Sequence, residues 1–147
     1  MATAVFVEAG KGEVMAVVGD EIVAKVGPQD TNGAWEMFEL SGPSKSGPPL
    51  HSHPWIEAYY VLDGEVLIRA GGRDETLRPG DFSLVPADVA HSFRIVSDTA
   101  RFLVMTSGDG AGKFFADVDR ECAGDVDMDT IIAVALRNNL TLQGPPL

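Results

Sequence analysis

Two of the three histidines and an acid lie within the seven-residue segment HSHPWIE. His51 and His53 are one residue apart, Glu57 follows in an apolar run, and the third histidine, His91, begins the segment HSFRIV. A buried, unpaired carboxylate is costly, and a metal ion would offset that cost. Three imidazoles and one carboxylate suit a first-row divalent ion (Fe, Mn, Co, Ni, Cu or Zn), because oxygen donors are too few for Ca or Mg. We therefore predict one such ion per chain, bound by His51, His53, Glu57 and His91.

The number of these ligands favours a catalytic ion over a structural one. A structural zinc has its four positions closed by protein, whereas four protein ligands leave two positions open on a six-coordinate ion. Each residue taken singly also has an ordinary interpretation. A histidine at a strand end can simply hydrogen bond, and a glutamate on a strand can face solvent.

The segments around these residues have the pattern of short β-strands. From residue 14 to about 107, apolar runs alternate with turn signals at a spacing typical of an all-β sandwich or barrel. The pairs Gly19-Asp20 and Asp63-Gly64 predict two-residue hairpin turns, and Gly71-Gly72 predicts a further turn. Each histidine lies at the start of a strand beside a turn. In an antiparallel barrel such ends can converge, as a shared metal site requires.

Strand parity predicts an apolar pocket beside the metal ligands. If Glu57 points into the barrel, Tyr59 does too, and Phe93 shares the parity of His91. We predict that these aromatic side chains form the wall of a substrate pocket, with four further candidates: Phe38, Trp55, Leu50 and Met105. An ordinary barrel core is the alternative for all six. The strand of Glu57 is also apolar on its other face, which must be covered by another sheet, helices or a second subunit.

The end of the chain has helical periodicity. Asp127 is a good N-cap, and apolar residues then recur at helical spacing: Met128, Ile131, Ile132, Ala135 and Leu136. We expect this face to pack on the outside of the barrel and assign it no chemical role. The lone cysteine, Cys122, lies in the acidic stretch ECAGD, which disfavours a thiolate, so we expect no nucleophile there.

The composition narrows the classes of partner. Twenty-two acidic and eleven basic residues give a formal net charge of −11, which repels a phosphate backbone and anionic lipid. We therefore predict neither a nucleic-acid partner nor a membrane partner. The sequence begins without a basic segment followed by an apolar one, and one cysteine allows no intrachain disulfide, so we expect a cytoplasmic protein.

The two histidine segments resemble the two sequence motifs of the cupin superfamily. The first is His51-x-His53, three residues, Glu57, six residues and Gly64; the second is Gly80, five residues, Pro86, four residues and His91. The family pattern has glycine where this chain has Lys45 and Asp88. The resemblance is closest to single-domain, quercetinase-like cupins, in segments such as PPLHSH, PGDFSLVPADVAHSF and RFLVMTS.

This resemblance implies a fold and an assembly. It implies an all-β, cupin-type jelly-roll β-barrel with short C-terminal helices and the metal inside the barrel. A single domain would span residues 1–147, with the barrel core at about 34–107 and a helical segment at about 111–140. Cupins of this type are usually homodimeric, so we expect a homodimer.

The resemblance also implies an activity. It predicts a metal-dependent dioxygenase that acts with O2 on a flavonol-like or other enolisable aromatic or cyclic small molecule. In that reaction Glu57 would bind the ion and also take the proton of the substrate hydroxyl. Two alternatives stay open: an oxygen-independent isomerase, cyclase or lyase with the same ligands, and a non-catalytic cupin that binds a small molecule.

Overall fold

The computed structural model describes residues 2–124 and 126–147. In this part of the chain the strands are β1 (Glu13–Val17), β2 (Asp20–Val26), β3 (Trp35–Pro43), β4 (Pro49–Ser52), β5 (Glu57–Asp63), β6 (Val66–Ala70), β7 (Arg73–Leu77), β8 (Phe82–Val85), β9 (His91–Ile95), β10 (Thr99–Ser107) and β11 (Thr141–Pro146). The helices are α1 (Pro28–Thr31), α2 (Gly110–Glu121) and α3 (Met128–Arg137).

The strands form two antiparallel sheets with the core between them. The larger sheet has the order β1-β2-β3-β10-β5-β8, and the smaller has the order β11-β4-β9-β6-β7. From β3 to β6, and again from β7 to β10, the chain crosses from one sheet to the other at every connection. The predicted all-β jelly-roll fold is therefore confirmed.

Alternation along the strands decides which side chains enter the core. On β10, Phe102, Val104 and Thr106 are buried, and on the neighbouring β5 their partners Val61, Tyr59 and Glu57 are buried as well. Burial of an apolar side chain of this size contributes roughly 1.5–3 kcal/mol, so this inner face holds the two sheets together. The same alternation aims Glu57 into the barrel.

The first hairpin turns one residue earlier than predicted. Val17 pairs with Asp20, so the turn consists of Val18 and Gly19, whose φ angles of 46° and 89° are typical of a type I′ turn. The sequence favoured Gly19-Asp20 because a β-branched residue rarely adopts positive φ. A shift of one residue reverses the face on which a side chain lies. Asp20 is consequently the first residue of β2, and it is buried.

The predicted hairpin at Asp63-Gly64 is wrong, because β5 and β6 belong to different sheets. Gly64 has φ of 80°, and a Cβ atom there would lie 2.3 Å from the carbonyl oxygen of Thr99. The residue is thus required for a tight crossing between the sheets. By contrast, Gly71-Gly72 joins β6 to β7, which do pair.

The C-terminal helix forms as predicted, and Asp127 accepts a hydrogen bond from the backbone N–H of Thr130 at 2.7 Å. Its expected position was wrong in part, since Met128, Ile131 and Ala135 line an internal cavity. The segment 144–146 belongs to β11, which pairs with β4. None of the helices in residues 2–124 and 126–147 is long and apolar enough to cross a membrane. The cytoplasmic location stays a prediction.

Candidate metal centre

The four predicted ligands come together between the two sheets. His51 lies in β4 and His53 directly follows it, whereas Glu57 and His91 begin β5 and β9. The first two histidines thus lie at the end of a strand, not at the start as predicted. His51 pairs with His91 across β4 and β9, and one ligand atom from each of the four residues lies within 4.8 Å of all the others.

Backbone carbonyls orient all three imidazole rings. The Nδ1 atoms of His51, His53 and His91 lie 2.8, 3.0 and 2.8 Å from the carbonyl oxygens of Pro49, Trp55 and Val89. A carbonyl oxygen can only accept, so Nδ1 carries the proton in each ring. A neutral ring of this tautomer has its lone pair on Nε2, which is the form that binds a metal ion.

The positions of these Nε2 atoms require a cation. The Nε2 atoms of His53 and His91 each lie 2.9 Å from Oε2 of Glu57. A lone pair and a carboxylate oxygen repel at that distance unless a proton or a metal ion lies between or beside them. Metal bonds of about 2.0–2.2 Å place ligand atoms roughly 3–4 Å apart. The cluster therefore fits a single divalent metal ion.

Two of these groups, His51 and Glu57, favour the protonation state that a metal requires. Burial lowers the pKa of His51 to about 4, and the charge of His91 adds to this effect. Burial alone would raise the pKa of Glu57, but the hydrogen bonds and charges of His53 and His91 hold that pKa well below its usual range. Burial alone would lower the pKa of His91, yet its hydrogen bond to Glu57 and the charge of that carboxylate raise it. A carboxylate and a neutral imidazole are the forms that coordinate metal, so a bound ion would displace the proton that His91 shares with Glu57.

A cavity of about 250 Å³ opens from this cluster. Its wall includes His51 and Glu57 together with two of the predicted pocket residues, Tyr59 and Phe93. Burial and the neighbouring Glu57 carboxylate raise the pKa of Tyr59 well above its usual value, so the phenol stays protonated. The ligand cluster thus faces a largely apolar space inside the barrel.

The other four predicted pocket residues have different positions. Trp55 stacks on His53, with ring centroids 4.2 Å apart, and lines a second cavity of about 30 Å³ beside the cluster. Phe38 lies in the core, edge-on to Phe115 at 5.0 Å. Leu50 and Met105 line neither cavity, because strand alternation places them on the faces opposite His51 and Thr106.

Sequence reasoning missed the wall that the C-terminal segment provides. Phe114 and Phe115 of α2, together with Leu140, line both cavities. Leu142 of β11 pairs with His51 and lines the larger cavity. The helical periodicity predicted which residues are apolar, but it contained no signal that this face would close the barrel over the metal cluster.

Sequence reasoning also missed Glu36, a second buried carboxylate. Glu36 is 2% exposed and accepts a hydrogen bond from the backbone N–H of Gly112, in the first turn of α2, at 3.2 Å. A Cβ atom on Gly112 would lie 2.2 Å from Oε2 of Glu36, so the glycine permits the close approach. This contact fixes the start of α2 against β3. Alternation in AWEMFEL could have found it, since Glu36 and Phe38 share a face.

Asp20 is a third buried acid, and burial raises its pKa to about 6 despite a hydrogen bond from Ser46. The folded chain therefore binds more protons at this site than the unfolded chain between about pH 4 and pH 6. Stability from this group is present at low pH and is lost as the pH rises through that window.

We expect Asp20→Asn to raise the melting temperature by a few degrees at pH 7.5 and to leave it nearly unchanged at pH 4. Asparagine keeps an oxygen that accepts the hydrogen bond of Ser46 and removes the buried charge. Thermal unfolding at the two pH values measures this effect, with Glu21→Gln on the exposed face of β2 as the control. A loss of stability at both pH values would contradict the assignment.

Comparison with known proteins agrees with this geometry. Residues 38–106, which contain all four candidate ligands, match the model of the cupin domain family. The protein therefore contains a cupin domain. This cupin is 33% identical over 92 residues to quercetin 2,3-dioxygenase of Bacillus subtilis (strain 168). The match covers 61% of the chain and 27% of that relative, so the chain spans only about a quarter of its length.

Solved structures share the fold of this cupin at lower sequence identity. KdgF from a Halomonas species is 16% identical with a TM-score of 0.65, and the match covers 72% of this chain and 94% of that one. The polyketide cyclase RemF from Streptomyces resistomycificus is 22% identical with a TM-score of 0.63, covering 71% and 80% of the two chains. At these identities the likeness concerns the fold alone.

Proposed function

We propose that this cupin is a metal-dependent dioxygenase that acts with O2 on a flavonol-like or other enolisable aromatic or cyclic small molecule. The observation that carries the proposal is a cluster of three histidines and Glu57 that opens onto an apolar cavity. An apolar pocket with a few converging polar groups is the usual form of a small-molecule site. The partial similarity to quercetin 2,3-dioxygenase supports the choice of reaction.

His51, His53 and His91 would hold the ion, each with its ring fixed by a backbone carbonyl. When bound, the ion would supply Lewis-acid and redox chemistry and lower the pKa of a coordinated enol hydroxyl. Oε2 of Glu57 lies between two of the histidines, close to where such a hydroxyl would bind. As a carboxylate it can bind the ion and also accept the hydroxyl proton, which is the role we assign to it.

The cavity wall would orient the substrate. Tyr59 and Phe93 have ring centroids 6.3 Å apart in an edge-on arrangement and offer apolar surface to a planar ring. Phe114 and Phe115, on the helical side, would exclude water from the reacting atoms. A dry cavity strengthens the electrostatic effect of the carboxylate on the bound enol.

Oxygen uptake and substrate loss test this function. The metal-free protein would be loaded separately with Fe, Mn, Co, Ni, Cu and Zn and mixed with flavonols and related enols. We expect O2 consumption matched by substrate loss with at least one redox-active ion. Substrate conversion without O2 would instead favour an isomerase, cyclase or lyase, and tight binding without conversion would favour a binding protein.

We further propose that the chain forms a homodimer through the outer face of β5, β8 and β10. Tyr60 pairs with Phe82, and Leu84 pairs with Ala58, which places three exposed apolar side chains (Tyr60, Phe82 and Leu84) close together on that face. A contiguous apolar patch of this kind is typical of an interface. Two chains of net charge −11 repel where their charged surfaces meet, and the side chains of Tyr60, Phe82 and Leu84 carry no charge, so a second copy fits this patch.

The variant Leu84→Glu is expected to weaken the dimer at least 100-fold, since it would bury a charge in the interface. Analytical ultracentrifugation over a range of concentrations measures the dissociation constant. Val14→Glu is the control, because Val14 is equally exposed (55% for both residues) and lies on the opposite edge of the same sheet. A monomeric wild type, or an unchanged dimer in Leu84→Glu, would refute this interface.

A further inference from the structure

The cavity has a second polar position, away from the metal cluster. Asp20 lines it and is only 8% exposed. Ser46 donates a hydrogen bond from Oγ to Oδ1 of Asp20. A Cβ atom on Gly42 would lie 2.1 Å from that same oxygen, so the neighbouring strand has glycine where the carboxyl needs room. The carboxyl is thus enclosed on the side away from the cavity.

The second oxygen of this carboxyl has no protein donor. Within residues 2–124 and 126–147, Oδ2 of Asp20 accepts no hydrogen bond, and the surrounding wall is apolar, with Val17, Ile22 and Leu40. Thr106 Oγ1 is the only fully enclosed side-chain atom without a partner in this part of the chain, so Oδ2 of Asp20 is accessible, and Asp20 lines the cavity. The chain retains the acid at a cost in stability, since burial raises its pKa. Groups kept at such a cost commonly serve binding or activity.

The register of the larger sheet places the two polar positions at different levels of the barrel. Thr106 pairs with both Glu57 and Glu36, whereas Asp20 lies beside Gly42. Six residues of β3 separate Glu36 from Gly42, which corresponds to about 20 Å of backbone. The inward side chains span part of this distance. A ligand that reaches from the cluster to Asp20 must therefore be longer than one ring.

We propose that Asp20 determines substrate specificity by accepting a hydrogen bond from a hydroxyl group at the end of the substrate farthest from the metal. This inference rests on the proposed function, in which the other end of the substrate binds at the cluster. The substrate class is accordingly an elongated, largely apolar molecule with an enol at one end and a hydroxyl at the other. The apolar wall between the two positions matches the middle of such a molecule.

Binding of paired ligands tests the inference. The metal-loaded protein would be titrated with 3-hydroxyflavone and with its 3′-, 4′- and 7-hydroxylated forms, and dissociation constants measured by calorimetry. Because a hydrogen bond to a charged acceptor is stronger than one between neutral groups, we expect one hydroxylated form to bind about tenfold more tightly than 3-hydroxyflavone. The ratio of the dissociation constant of 3-hydroxyflavone to that of the hydroxylated form is therefore about ten in the wild type. Asp20→Leu should reduce this ratio to about one, and Glu21→Gln should leave it unchanged.

The ratio separates recognition from a merely structural role. If Asp20 only positioned the loop that carries Ser46, Asp20→Leu would weaken the binding of all the ligands by the same factor. The ratio of dissociation constants would then be unchanged, and the inference would be overturned. Asp20→Asn keeps the acceptor for Ser46 and serves if the leucine variant does not fold; the ratio should then fall to within about threefold. If the wild type bound all the ligands equally and only with metal present, the role of Asp20 would be overturned, but the proposed function would not. No metal-dependent binding of any of them would overturn the proposed function as well.

Discussion

Replacing His91 with alanine is expected to abolish metal retention while the barrel stays folded. His91 is fully buried, and its ring centroid lies 4.4 Å from that of His51 and 4.7 Å from that of His53, so it occupies the middle of the cluster. Loss of an outer hydrogen-bond partner of a metal ligand costs roughly 10- to 100-fold in affinity, and loss of a ligand should exceed that. Because His91 begins β9, the core pairing of that strand with β6 is retained.

Metal content after gel filtration measures this effect, with circular dichroism as the check on folding. Every histidine of the chain lies in the cluster, so the control has to be a different buried residue. Glu36→Gln is suitable, because Glu36 lies at the level of Glu57 but contacts Gly112 instead of the cluster. We expect about one ion per chain in the control and almost none in His91→Ala. Full occupancy in His91→Ala would contradict the ligand set.

The metal cluster could be predicted from sequence because its parts are local. Spacing within HSHPWIE places two imidazoles and a carboxylate around one strand connection, and alternation from Glu57 correctly indicates that Tyr59 points inward. The assignment of His91 as a ligand required one further assumption, namely that the ends of the strands converge. The side of the sheet on which Met105 lies could not be predicted from local pattern. Its strand is apolar on both faces, and only pairing with β3 and β5 decides which face is inside.

Long-range features could not be predicted in this way. Asp63-Gly64 has the composition of a hairpin turn, yet the approach of Thr99 and the assignment of β6 to the second sheet decide its role. The helical wall of the cavity likewise depends on contacts between segments far apart in sequence. Asp20 was predicted in a turn but begins β2, one residue beyond the actual turn, because the prediction used only the turn preferences of neighbouring residues.

Two departures from the cupin pattern show how the backbone constrains the sequence. Lys45 and Asp88 replace glycines of that pattern, and both adopt left-handed angles, with φ of 72° and 64°. The residues changed but the turn geometry that favours glycine did not. The backbone N–H of Asp88 donates to the carbonyl of His53 at 2.8 Å, so one of these turns directly supports the metal cluster.

Glu57→Gln is expected to reduce turnover roughly 10²- to 10⁴-fold with the most active pair of metal and substrate. Glutamine keeps the size of the side chain and an oxygen that can bind an ion, but it cannot accept the hydroxyl proton. The three histidines should keep enough metal for the comparison. Turnover is therefore expressed per bound ion, with Glu36→Gln as the control of unchanged activity.

A second measurement separates the carboxylate's charge from its role as a base. Hydrogen bonding to Glu57 and its negative charge raise the pKa of His91, so in the metal-free Glu57→Gln variant that pKa should fall, as an NMR titration of the imidazole would detect. A fall in this pKa together with loss of turnover per ion is the result expected if one carboxylate serves both the cluster and the substrate. A lower pKa with turnover per ion within about threefold of wild type would show that Glu57 binds the ion without acting as the base. The proton acceptor would then have to be another group at the cavity wall.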